Sequence, residues 1–92
     1  LAHSRSAKKR VRQNERRRLR NRVARSALRS AVKRFRAAAS AGDLATARAI
    51  YAIIQKRADT IARKGIIPAK RAARIKSRLA AALGSAPAPA AT

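Results

Sequence analysis

From Leu1 to Ile67 the chain contains no proline and only two glycines, Gly42 and Gly65. Between these marks stand mainly Ala, Arg, Lys and Leu, all strong helix formers. A chain so uniform in helix propensity and so sparsely interrupted is confined to a few long helices, and three follow directly. The first is predicted over about 6–41, with Ser6 as N-cap and Gly42 just past its end. At 1.5 Å per residue it would be roughly 50 Å long. Asp43 caps a second helix that runs to about Lys64 and stops at Gly65. Ile66 and Ile67 read as a short apolar linker. Pro68 suits the first turn of the third helix, where its missing N–H costs nothing. That helix is expected to end near Leu83, before Gly84. The tail Ser85–Thr92, SAPAPAAT, is uncharged and Pro/Ala-rich and is expected to be disordered.

The apolar spacing agrees with helices and shows how they pack. Ala24, Leu28, Ala31, Val32, Phe35 and Ala39 recur at three- and four-residue steps, which puts them on one helix face. Ala47, Ile50, Tyr51, Ile54, Ala58 and Ile61 form the stripe of the second helix, and Ala72, Ile75, Leu79 and Leu83 that of the third. Short glycine turns make sequential helices antiparallel neighbours. The expected fold is therefore all-α, a three-helix bundle within one small domain over residues 1–84. Its long N-terminal helix extends beyond the bundle. From Arg5 to Arg22 the apolar positions are only Ala7, Val11 and Leu19, and the last two fall off the stripe set by Leu28 and Phe35. This segment has no face to bury, so it is expected to project as an arm and to become ordered on its ligand.

Charge narrows the function. Twenty-five Lys and Arg oppose three acids, a formal net charge of +22 over 92 residues. Such a chain repels itself when compact and calls for a polyanionic partner. Nucleic acid is favoured, because each phosphate contact by Lys or Arg releases condensed counterions. There are no cysteines, which excludes disulfides and Cys-based zinc sites. No run of 18 apolar residues could span a membrane, and no apolar segment follows the basic start as in a secretory signal, so a cytoplasmic location is expected.

Catalysis needs convergent titratable groups, and these are missing. His3 has no second histidine or cysteine to complete a metal site and reads as a solvent or phosphate contact. Asp43 reads as a cap, Asp59 as an i,i+4 partner of Arg63, and Glu15 as a diluent of the surrounding arginines. No enzyme activity, metal or cofactor is expected.

The arm carries the chemistry instead. Arginine is spread around the whole helix without opposite charges to pair with, an arrangement suited to a surrounding shell of phosphates. Arginine outnumbers lysine, and its planar fork suits bidentate phosphate contact and stacking on bases. Arg22, Arg25, Arg29, Lys33 and Arg36 continue the basic flank along the bundle, and Arg71, Arg74 and Arg78 line one side of the third helix. The stretch Asn21–Arg29 faintly resembles a leucine-zipper basic region. However, Arg25 and Leu28 break that pattern, and Gly42 stands where a zipper heptad would continue. A membrane-surface helix would need a wide apolar face, which the arm lacks. Nonspecific DNA compaction is the remaining rival. The scarcity of aromatics, Phe35 and Tyr51 alone, argues for contacts to the backbone and shape of folded RNA over stacking on single strands.

Several segments are familiar in order and spacing. Ser6-Ala7-Lys8-Lys9-Arg10, Ala41-Gly42-Asp43, Lys64-Gly65-Ile66-Ile67 and Lys70-Arg71-Ala72-Ala73-Arg74-Ile75-Lys76-Ser77-Arg78-Leu79 resemble the bacterial small-subunit ribosomal protein twenty family, over residues 2 to about 83. The last motif is the most specific. Pro68 stands where the family often has His, and Leu1 where an initiator Met is expected. The resemblance implies a three-helix protein that binds small-subunit 16S rRNA directly and early in assembly. Carried over by position, the implied contacts are Ser6, Lys8, Lys9, Arg10, Arg12, Arg16, Arg17, Arg18, Arg20, Asn21, Arg22, Arg25 and Arg29 on the first helix. On the third they are Lys70, Arg71, Arg74, Lys76 and Arg78, and Lys33 extends the first set along its flank. Small-subunit rRNA is the expected partner, with neighbouring small-subunit proteins beside it. No membrane, small-molecule substrate or second copy of the chain is expected.

Overall fold

The computed structural model describes residues 4–85, so the expectations for His3 and for the tail beyond Ser85 lie outside the described residues. Three helices account for the described chain: α1 (Arg5–Ser40), α2 (Leu44–Arg63) and α3 (Ala69–Ser85). The expected all-α three-helix bundle with a protruding first helix is what forms. None of the three helices is long and apolar enough to cross a membrane.

The helix ends show where the sequence reading was one step off. Ser4, not Ser6, is the N-cap of α1, its Oγ accepting from the Ala7 amide at 3.1 Å. Both serines precede a basic helical run, and only backbone direction separates them: Ser4 is extended while Ser6 is already helical. Asp43 caps α2 as expected, accepting from the Thr46 amide at 3.2 Å. The Thr46 hydroxyl and then its amide hold the Asp43 carboxyl below its ordinary pKa. Pro68 sits one residue before α3, where its carbonyl accepts from the Arg71 and Ala72 amides. Gly84 does not stop α3, which runs on through it to Ser85, a residue expected in the tail. Glycine adopts the right-handed helical conformation as readily as any other, so its position alone did not fix the end.

Gly42 and Gly65 do stop their helices, both at φ 77°. After α1 the Asp43 amide donates to the Ala38 carbonyl and Gly42 to Ala39. After α2 Ile66 donates to Ile61 and Gly65 to Ala62. These paired bonds satisfy carbonyls orphaned at a helix end and require a left-handed residue, which only glycine adopts without strain.

The core lies along the predicted stripes. Leu28, Ala31, Phe35 and Ala39 of α1 meet Ala47, Ile54, Ala58 and Ile61 of α2 and Ala72 and Leu79 of α3, all buried. Ile67, expected in a linker, is buried too and belongs to this core. Tyr51 joins all three helices: its ring lies 6.1 Å from that of Phe35, and its hydroxyl donates to the Lys76 carbonyl at 3.1 Å. Asp59 pairs with Lys76 across α2 and α3 at 2.7 Å, and not with Arg63 as expected. A tertiary partner displaced the local one.

Candidate nucleic-acid interface

The bundle ends near Ala24 on α1, yet the helix continues outward. Every side chain from Lys8 to Arg20 is exposed. The molecule measures 69 × 20 × 16 Å as a result. Within this arm Lys8, Arg12, Arg16 and Arg20 follow one another at four-residue steps, and Arg18 and Arg22 likewise. Like charges at that spacing destabilise a helix by about 0.2–0.5 kcal/mol per pair. Such repulsion vanishes when phosphates lie between the cations. Glu15 lines a shallow groove on the arm with Lys8, Val11 and Arg12.

The fold gathers the predicted residues into two groups. Ser6, Lys8, Lys9, Arg10, Arg12, Arg16, Arg17, Arg18, Arg20 and Arg22 stand exposed along the arm, with Asn21 half-buried at its root. Arg25, Arg29 and Lys33 follow on the exposed flank of α1. Arg25 and Arg29 face Arg71 of α3 across a cleft floored by Leu28, Val32, Ile67 and Ile75. Lys70, Arg74 and Arg78 are exposed on α3. Lys76 is different: half-buried, with its ammonium on Asp59.

Some cations beside the arm were not singled out from the sequence. Lys64, in the turn after α2, shares a cleft with Arg17, Arg20 and Asn21 at the root of the arm, next to Ile61 and Ile66. Lys56 and Arg57 line an adjoining groove with Ala24 and Ala27. No local pattern marks these residues, because α2 carries them to α1 only through the antiparallel turn at Gly42.

Such a surface can hold a chain of phosphates along a rod and around its base. Among the described residues no three His, Cys, Asp or Glu side chains gather into a metal-binding group. The fold and the surface together define a helical, highly basic scaffold protein. The family described as Ribosomal protein S20 matches residues 2–84. A small ribosomal subunit protein bS20 of Shewanella pealeana is 51% identical over 79 residues, covering 86% of this chain and 90% of that protein. Proteins of the same description from Mycobacterium bovis and Mycobacterium tuberculosis are 48% identical over 83 residues, covering 90% of this chain and 96% of theirs. The chain belongs to the ribosomal protein S20 family, and is thereby a structural constituent of the small ribosomal subunit and not an enzyme.

Proposed function

We propose that the chain binds 16S rRNA directly and stabilises the fold of that RNA during assembly of the subunit. The observation that carries this reading is the arm, a helix with cations on every side and no protein surface to pack on. The arm and the Lys70–Arg78 side of α3 grip separate RNA segments, while the core around Phe35, Tyr51 and Leu79 fixes the angle between them. Counterion release supplies most of the affinity. Specificity comes from the fit of a rigid pair of surfaces to groove shape and backbone position in folded RNA. Lys76 contributes least of the α3 set, since reaching a phosphate would cost it Asp59. Lys64, Lys56 and Arg57 widen the surface at the root of the arm.

A salt-titrated binding assay on naked 16S rRNA, with an equal mass of duplex DNA as competitor, tests the reading. Binding to rRNA retained above about 0.2 M salt, where a purely electrostatic contact loses orders of magnitude, is the expected result. Equal loss on both polymers would mean a generic polycation, and preference for the duplex a DNA-compacting protein.

A further inference from the structure

We propose that the cleft between α1 and α3 receives one unstacked nucleotide, its base lying on the aliphatic floor and its phosphate on the arginine rim. The inference rests on the reading of the chain as an rRNA-binding protein and assigns a ligand group to one part of that surface. The cleft exists because α2 packs closely on both other helices while α1 and α3 approach each other only at their margins. Buried Leu28 and Ile67 and half-buried Val32 and Ile75 make up its floor.

Two features select the occupant. The rim is cationic from both sides, with Arg25 and Arg29 on one helix and Arg71 on the other, and no acid lines the cleft. An anion is therefore favoured. The floor is apolar, however, and a phosphate gains nothing from contact with Val32 or Ile75. The occupant must join a negative group to a flat, weakly polar one, and a nucleotide does so. Arginine guanidinium planes both fork onto phosphate and stack on bases, so the rim serves each half of it.

Size limits the number of bases. The cleft holds about 160 Å³. A cavity of about 150 Å³ accommodates one benzene, whereas sites for larger ligands start near 300 Å³. One ring fits, and a stacked run does not. Readers of single strands line their grooves with aromatic side chains, and none stands here. The site suits a single base turned out of a folded RNA, with a pyrimidine fitting better than a purine.

The test uses the full chain with labelled Ile, Leu and Val methyl groups, titrated in parallel with uridine 5′-monophosphate and ribose 5-phosphate. Both probes carry the same phosphate, so the base alone distinguishes them. Uridine monophosphate is expected to shift the methyl resonances of Val32, Ile67 and Ile75 several times further than ribose phosphate does, and to move Val11 and Leu19 on the arm no further than ribose phosphate does. Equal shifts with both probes, or none at the cleft, would overturn the proposal. As a second measurement, Val32→Met fills the cleft with a longer aliphatic chain, removing no arginine and adding no aromatic surface for a base to stack on. Its affinity for 16S rRNA should fall severalfold, with the salt slope unchanged. Undiminished affinity in a variant whose melting curve matches the parent would also overturn it. Failure of the parent reading shows differently, as loss of preference for rRNA over duplex DNA by the unaltered chain.

Discussion

The arm and the bundle share one helix, α1, but are held by different forces. From Ala24 to Ser40 the helix rests on α2 through Leu28, Ala31, Phe35 and Ala39, and its cations are confined to the outer flank. From Lys8 to Arg20 there is no such support, and cations occupy every side. Backbone propensity is high in both halves, so α1 runs through without a break. Propensity alone leaves an isolated helix of this length marginal in water, and the like-charge repulsion along the arm subtracts further. Burial stabilises one half from within; the other depends on what binds it.

Four experiments press on this contrast. Removing Ala2–Arg18 has the largest effect expected: affinity for 16S rRNA drops on the order of a hundredfold or more at moderate salt. The salt slope flattens by roughly 0.7–0.9 for each phosphate that the shortened chain no longer neutralises. The melting curve of the bundle stays in place. An unchanged slope would mean that the arm does not touch the RNA. The reverse experiment attacks the bundle. Phe35→Ala empties a fully buried position and should cost about 3–5 kcal/mol in urea unfolding. Leu19→Ala, on the exposed arm, should stay within roughly 0.5 kcal/mol. Comparable losses at both positions would show the arm packed after all.

Smaller effects test how α2 and α3 are tied. Asp59→Asn breaks the pair with Lys76, which is only partly buried, so about 0.2–1 kcal/mol of stability should go. Binding to rRNA should tighten slightly as Lys76 is freed. Weaker binding would show that the pair positions α3. The smallest effect concerns Asp43. Its carboxyl is held below its ordinary pKa by the Thr46 hydroxyl and amide, so the folded state binds that proton less readily than the unfolded chain. The cap therefore stabilises fully at neutral pH, and its contribution is lost as pH falls through the ordinary carboxylate range to the lowered folded value. Asp43→Asn should flatten the acid limb of the melting profile without moving its neutral plateau.

Much of this was legible in the residues. The two glycine stops, the Asp43 cap and the core stripes follow from periodicity and from the chemistry of helix ends. Where local signals were duplicated, the reading slipped: Ser4 and Ser6 are equally good caps, and Gly84 could end a helix or continue one. Where the deciding partner lay far off in sequence, no local pattern could reveal it. Ile67 looked like linker because its neighbours are loop, yet it is buried in the core that the helices share. Asp59 had Arg63 at helical spacing, but Lys76 comes nearer once α3 folds back. The same reason hid Lys64, which α2 brings to the root of the arm only after the turn at Gly42.

The absence of any break in α1 carries a mechanical consequence. An α-helix advances about 100° per residue, so an uninterrupted rod locks the azimuth of every arm side chain to the orientation of Phe35 in the core. One residue inserted between Arg22 and Ala24 would swing the whole arm by about 100° around its axis and also push it outward by about 1.5 Å. Four inserted residues would bring it back to within about 40° but displace it by about 6 Å. The arm thus behaves as the shank of a key whose bow is the bundle, and its composition can vary far more freely than its length.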